Sequence, residues 1–213
     1  MKYVCFDIGN VLCHLDFKVF LSALSQQVNI SEADTWHFLS RTQKLHDLGL
    51  TVLKDELTNH FKLNSETIVN RLLDEWNNVL RQEELMFQLL SQLSENDVSI
   101  ALLSNIGFEH VSYLNQIAGE YVGYKKAIHF FSCDVGARKP SMLYYQTFLT
   151  LNPKFKGCLY IDDIQENLDA GKKFGFKTLR FALSDLTGKT EGQTQHNIKT
   201  AISRLKSLIL DSK

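Results

Sequence analysis

The sequence predicts an α/β protein, a doubly wound parallel sheet with a helical cap inserted after its first strand. Three observations carry that expectation. Short apolar runs rich in β-branched and aromatic residues recur at 3–6, 98–103, 127–131, 158–161 and 177–181, with helical periodicity between them; this alternation builds parallel strands joined by crossover helices. The runs SIALLS and GCLYI are apolar without interruption, as strands buried on both faces are. The first gap breaks the rhythm, because about ninety residues separate the first two runs where a crossover needs roughly a dozen.

Within that gap, residues 18–28, 31–41, 52–61 and 65–80 each read as amphipathic helices, and Ser31 with Asp34 resembles a capping pair. The spacing predicts a cap over 16–80, a helix over 81–93 returning to the core, and a core made of 1–15 and 81–213. Phe17, Phe20, Trp36, Phe38 and Trp76 sit at spacings that suit packing inside the cap. Gly49 suits a turn between cap helices and Asn152-Pro153 a loop before the fourth strand. Apolar residues at Ile198, Ala201, Ile202, Leu205, Leu208 and Ile209 predict a closing helix from Gln195. The stretch GKTEGQTQ at 188–195 reads as a mobile loop.

Composition narrows the functional classes. A chain of 213 residues with 44% hydrophobic content fills an ordinary core. A net charge of −1 provides no broad field for nucleic acid or an anionic membrane, which leaves small molecules as the expected partners. No run approaches the roughly 20 apolar residues of a membrane helix, and the opening segment lacks a secretory h-region, so a cytoplasmic location is expected. Cys5, Cys13, Cys133 and Cys158 have no CxxC spacing and lie in or beside strand-like runs, which suits buried thiols. No heptad speaks to oligomeric state.

In an open α/β sheet, ligands bind beyond the carboxyl ends of the strands. Asp7 follows the first run, Ser104 and Asn105 the second, and Asp162 and Asp163 the fourth, while Arg138-Lys139-Pro140 precedes a helix. Carboxylates with a lysine and a short hydroxyl suit magnesium and phosphate, since Mg2+ takes hard oxygen ligands and substrate phosphate. Adjacent Asp162 and Asp163 at a strand end repel unless a cation or donors neutralise them. His14, near the predicted hinge, and Lys44 and His46, in the cap, are further polar groups able to face a substrate.

The segments FDIGNVL, LLSN, ARKP and YIDDIQEN resemble, in order, the four motifs of haloacid-dehalogenase (HAD) superfamily phosphatases, with a Rossmann-like core. The nearest likeness is to the D-x-G-N-V subgroup that includes bacterial alpha-D-glucose-1-phosphate phosphatase, and it extends from Tyr3 to about Phe181; the cap matches only in position and helical character. The resemblance implies Asp7 as aspartyl-phosphate nucleophile and magnesium ligand, with Asp163 as the principal acidic ligand and Asp162 supporting bound waters. It implies Ser104 and Asn105 at the phosphoryl oxygens, Lys139 pairing with phosphate and with Asp7, and Asn167 steadying the acidic loop. The cofactor would be Mg2+ and the partner a small phosphorylated metabolite.

One position departs from the pattern. Most of these phosphatases carry a second aspartate two residues after the nucleophile as general acid–base, where this sequence has Gly9. Its backbone carbonyl remains available to a metal, but the acid–base group is gone. An anomeric sugar phosphate, whose leaving hydroxyl is more acidic than an ordinary alcohol, fits that loss. Two other functions stay open: a haloacid dehalogenase, which would lack the paired carboxylates, and a phospho-ligand or partner-binding protein with weak or no turnover.

Overall fold

A computed structural model describes residues 2–211. Its main sheet contains β1 (Lys2–Phe6), β4 (Val98–Ser104), β5 (Ile128–Phe131), β6 (Leu159–Asp162) and β7 (Lys177–Arg180), all parallel, in the order β5-β4-β1-β6-β7. Each predicted apolar run became a strand. The chain leaves β1 toward β4 on one side and reaches β6 on the other, so the topology switches at the carboxyl end of β1, where such sheets open a crevice.

The uninterrupted apolar runs follow from burial on both faces. Val4 and Phe6 of β1, Ile100 and Leu102 of β4 and Ile161 of β6 enter one core cluster. There they meet α5 (Glu84–Glu95), α6 (Phe108–Ala118), α7 (Val122–Lys126) and α11 (Glu191–Asp211). Alternate residues Cys5, Ala101, Leu103 and Tyr160 enter a second cluster with Tyr144, Tyr145 and Phe148 of α9 (Met142–Leu151) and Leu168 of α10 (Gln165–Lys173). Period-two alternation thus persists, but both phases are apolar. All four cysteines are buried and free, and Cys5 Sγ lies 3.5 Å from Cys158 Sγ.

The inserted helices are α1 (Lys18–Val28), α2 (Glu32–Asp47), α3 (Leu53–Asn59) and α4 (Glu66–Asn78). They enclose their own cluster, which includes Phe20, Leu24, Phe38, Leu57, Leu72 and Trp76. Ser31 caps α2 as expected, its Oγ accepting from Asp34 N at 3.1 Å. Trp36 departs from the packing expected of it: it is 45% exposed, touching Phe17 edge-on. Helix α2 runs six residues beyond the expected 41, to Asp47, and is followed after Leu48 by Gly49, whose left-handed φ of 68° few other residues adopt. A Cβ there would lie 2.5 Å from Cys133 O, on α8 (Ser132–Val135) of the core.

Two short antiparallel strands join cap to core, β2 (Cys13–Leu15) and β3 (Leu80–Gln82), with Leu15 opposite Leu80. They correct the expected helix at 81–93, which begins only at Glu84, because Leu80–Gln82 takes its hydrogen bonds from β2 instead. The expected loop at 188–195 is also corrected: α11 starts at Glu191, with Thr190 Oγ1 accepting from Gln193 N at 3.2 Å. Among the described residues, no helix is long and apolar enough to cross a membrane.

Candidate active site

Asp7 leaves β1 at the topological switch, its backbone N donating to Ile161 O at 2.8 Å, which extends the β1–β6 ladder by one residue. Its side chain is 6% exposed. Oδ1 accepts from Ile8 N at 2.7 Å and from Lys139 Nζ at 2.9 Å; Oδ2 takes no hydrogen bond among the described residues. One oxygen is therefore fixed and the other is uncommitted. Burial pushes the Asp7 carboxyl up to about 7; the Lys139 charge opposes this and the Asp162 charge adds to it.

Lys139 is 1% exposed and uses all three of its N–H donors. They go to Asp162 Oδ2 at 2.7 Å, Leu103 O at 2.7 Å and Asp7 Oδ1 at 2.9 Å. Burial alone would lower its pKa, but Asp162 and Asp7 outweigh that and hold it above the usual lysine range. Its backbone is clasped by Asn105: Asn105 Nδ2 donates to Lys139 O at 2.9 Å, and Lys139 N donates to Asn105 Oδ1 at 2.7 Å. The Asn105 side chain, expected at phosphoryl oxygens, is thus spent on holding Lys139.

Asp162 is wholly buried and saturated. Its Oδ2 accepts from Lys139, from Tyr160 Oη in a short bond and from Asn167 Nδ2 at 3.2 Å. Oδ1 accepts from Ile164 N at 2.8 Å and from Asn167 at 3.1 Å. Asp163, half-buried, sits beside it, accepting at Oδ2 from Asn10 Nδ2 at 3.0 Å, and burial raises its pKa. Asn10 adopts a left-handed φ of 54° and is pinned in turn, its Oδ1 accepting from Ser184 N at 2.9 Å.

Carboxylate oxygens of Asp7, Asp162 and Asp163 lie within 4.8 Å of one another. The set fits a hard divalent cation: the ligands are oxygens, and Asp7 is driven toward protonation for want of a counter-charge beyond Lys139. Of the expected metal set of Asp7, Gly9, Asp162 and Asp163, Asp162 is the member whose oxygens are already engaged.

Ser104, 4% exposed, ends β4, and with Gly9 and Asn105 it walls a cavity of about 60 Å3 between core and cap. A Cβ on Gly9 would lie 3.1 Å from Leu15 Cδ1, so a side chain here would displace Leu15. From the cap come Phe17, His46 and Trp76. Of the three other polar candidates only His46 reaches this cavity; His14, on β2, bonds Glu83 at the start of α5 at 3.0 Å, and Lys44 is exposed. The cap is held down by Arg138 Nη2 donating to Asp47 Oδ2 at 2.8 Å and by His110 Nε2 against Trp76 O at 2.8 Å.

Sequence reasoning missed Asn10, Tyr160 and the Asp47–Arg138 pair. Asn10 had a signal, since asparagine tolerates left-handed turns and follows glycine at a strand end. Tyr160 reads as ordinary apolar filling.

No protein-family model matches the sequence, and no curated protein does either. Solved structures match in fold. The HAD family enzyme BT-2542 from Bacteroides thetaiotaomicron, in complex with magnesium and inorganic phosphate, is 18% identical over 84% of this chain and 93% of its own, with a TM-score of 0.70. A predicted HAD-like family hydrolase from Porphyromonas gingivalis is 18% identical over 96% and 97%, with a TM-score of 0.67. An L-2-haloacid dehalogenase from Xanthobacter autotrophicus is 18% identical over 97% and 86%, with a TM-score of 0.57.

Proposed function

We propose that this chain, which has the Rossmann-like HAD fold with a helical cap, is a magnesium-dependent phosphatase that hydrolyses a small phosphomonoester through an aspartyl-phosphate on Asp7. The observation that carries this is the Lys139 ammonium bridging Asp7 and Asp162, with the Asp163 carboxylate within 4.8 Å, at the carboxyl ends of β1, β4 and β6. BT-2542 has been crystallised with magnesium and phosphate, which agrees with the reading.

In this reading residues 1–15 and 81–213 form the catalytic core and 16–80 the cap. Asp7 Oδ2 attacks phosphorus; the new O–P bond forms as the bond to the leaving oxygen breaks, and that oxygen takes its proton from water. Water then attacks phosphorus, releasing phosphate and restoring the carboxylate. Lys139 orients Asp7, favours its ionised form together with the bound cation and offsets charge in the transition state, Ser104 and the backbone around Asn105 hold phosphoryl oxygens, and Asp162 anchors Lys139. Asp7, the Gly9 carbonyl and Asp163 would hold Mg2+, with Asp162 behind them; the ion supplies charge neutralisation at the phosphoryl oxygens.

Gly9 brings no acid–base group. Such a group typically contributes ~10²–10⁴ in rate, about 3–5 kcal/mol of barrier, so the substrate must bring a good leaving group, as a sugar 1-phosphate does. The substrate is a small phosphorylated metabolite of the cytoplasm. The cavity of about 60 Å3 is well below the roughly 300 Å3 at which drug-sized ligand sites begin, so a sugar requires the cap to open on β2 and β3.

Two specific observations favour other readings. The likeness to the Xanthobacter dehalogenase favours haloacid turnover, though the Asp162–Asp163 pair argues against it; Gly9 favours a phospho-ligand binder without turnover. A phosphate-ester panel assayed across a magnesium titration separates them. Turnover that rises with Mg2+, stops in EDTA and is lost in Asp7→Asn supports the phosphatase. Turnover of 2-haloacids, or ester hydrolysis indifferent to EDTA, contradicts it.

A further inference from the structure

Resting on the phosphatase reading, we propose that His46 is the specificity-determining residue of the cap, hydrogen-bonding a hydroxyl on the substrate's leaving group. His46 lies in the last turn of α2 and is 2% exposed. Neither Nδ1 nor Nε2 has a hydrogen-bond partner among the described residues. A neutral imidazole always presents one N–H and one lone pair, so both halves of its bonding capacity are unmet in a buried place, an arrangement native proteins rarely keep without a reason.

The place is specific. His46 lines the cavity of about 60 Å3 together with Gly9, Ser104 and Asn105. The ring therefore shares one cavity with the residues proposed to hold the phosphoryl group and with the position where an acid–base side chain is missing. Burial holds the ring below the usual histidine range against the opposing charges of Glu109 and Glu56, which keeps it neutral and able both to donate and to accept. A hydroxyl is the complementary group, because it too donates one hydrogen bond and accepts others.

The competing explanation is packing. His46 meets Trp76 edge-on at 6.1 Å, and a Cβ on Gly107 would lie 3.3 Å from His46 Cβ. Phenylalanine would serve that purpose equally well and would remove two unsatisfied polar atoms, so packing and recognition diverge in His46→Phe.

The test uses two esters with good leaving groups, glucose 1-phosphate, whose leaving group carries hydroxyls, and phenyl phosphate, whose leaving group carries none, with Mg2+ present. Turnover is measured in the intact protein and in His46→Phe, and dissociation constants are measured by calorimetry in the Asp7→Asn background with and without His46→Phe. Loss of the imidazole is expected to weaken glucose 1-phosphate about 10- to 100-fold, the range of one or two lost hydrogen bonds. Phenyl phosphate and inorganic phosphate should change less than about twofold, and His46→Gln should restore part of the preference. An unchanged preference, or an equal fall for both esters, overturns the assignment, as does binding of neither ester. A His46-dependent preference in binding without turnover of anything keeps His46 as a ligand contact and refutes the phosphatase. Turnover of both esters regardless of His46 keeps the phosphatase and refutes the His46 assignment.

Discussion

The two walls of the crevice are built on opposite principles. On the core side the Lys139–Asp162 pair is fully answered: Lys139 spends three donors on three acceptors, and Asp162 accepts from Lys139, Tyr160, Ile164 and Asn167. On the cap side His46 is buried with both nitrogens unmet. A satisfied buried network is rigid and specifies one arrangement, whereas an unsatisfied group is open to a partner from outside the chain. In the proposed reaction the core wall serves the step common to every substrate, and the cap wall the part that varies.

The largest way to break the comparison is to open the core network. In Lys139→Met, Asp162 stays buried without its ammonium, and removing one partner of a buried pair costs roughly 3–5 kcal/mol. Denaturant unfolding should show that loss and the assay no turnover. Lys139→Arg should not rescue, since a planar guanidinium cannot meet three acceptors arranged around one ammonium.

Next in size is a dependence on pH that belongs to the core wall alone. The Asp7 carboxyl is raised from 3.8 to about 7 in the folded protein, so the folded state holds the proton more tightly than the unfolded one. Raising pH through that window strips the proton from the folded state, and metal-free stability declines. Magnesium binds the ionised form, so its affinity should fall about tenfold per pH unit below 7. Calorimetric Mg2+ titrations at several pH values check this; affinity independent of pH counts against Asp7 as a ligand.

A smaller effect concerns how the walls meet. Asp47→Asn weakens the bond to Arg138, which should cost about 1–3 kcal/mol of cap closure. KM should rise more than kcat falls, and hydrogen exchange should quicken at the β2–β3 ribbon. The smallest change is Gly9→Asp, where Leu15 must shift by a few tenths of an ångström to admit the Cβ. Turnover of alkyl phosphates should gain and that of aryl phosphates should change little, because only the former need a proton on the leaving oxygen.

The same contrast explains what the sequence disclosed. All five strands of the sheet were legible because burial on both faces leaves an uninterrupted apolar signature. Asp7, Ser104, Lys139, Asp162 and Asp163 were legible because each stands where an apolar run stops or a helix is about to start. β3 was not legible: Leu80–Gln82 is too short for periodicity and exists only because β2 lies opposite it. Nor was the true position of Asn105, whose side chain turns to a backbone thirty-four residues away. His46 carried only a type and a place in the cap; its missing partners are a tertiary fact. Trp36 was misread because helical spacing cannot tell which of two aromatic residues lies at the rim of the stripe.

The central claim is that Asp7 Oδ2, an oxygen left uncommitted beside a network that fixes its partner Oδ1, takes the phosphoryl group. Rapid acid quench during turnover of a phosphate ester with Mg2+, followed by mass spectrometry of the peptide carrying Asp7, tests it directly. A phosphoryl adduct on Asp7 that forms within one turnover and vanishes with EDTA is the expected result. Sustained hydrolysis with no adduct on that peptide, or with the adduct on another residue, contradicts the account.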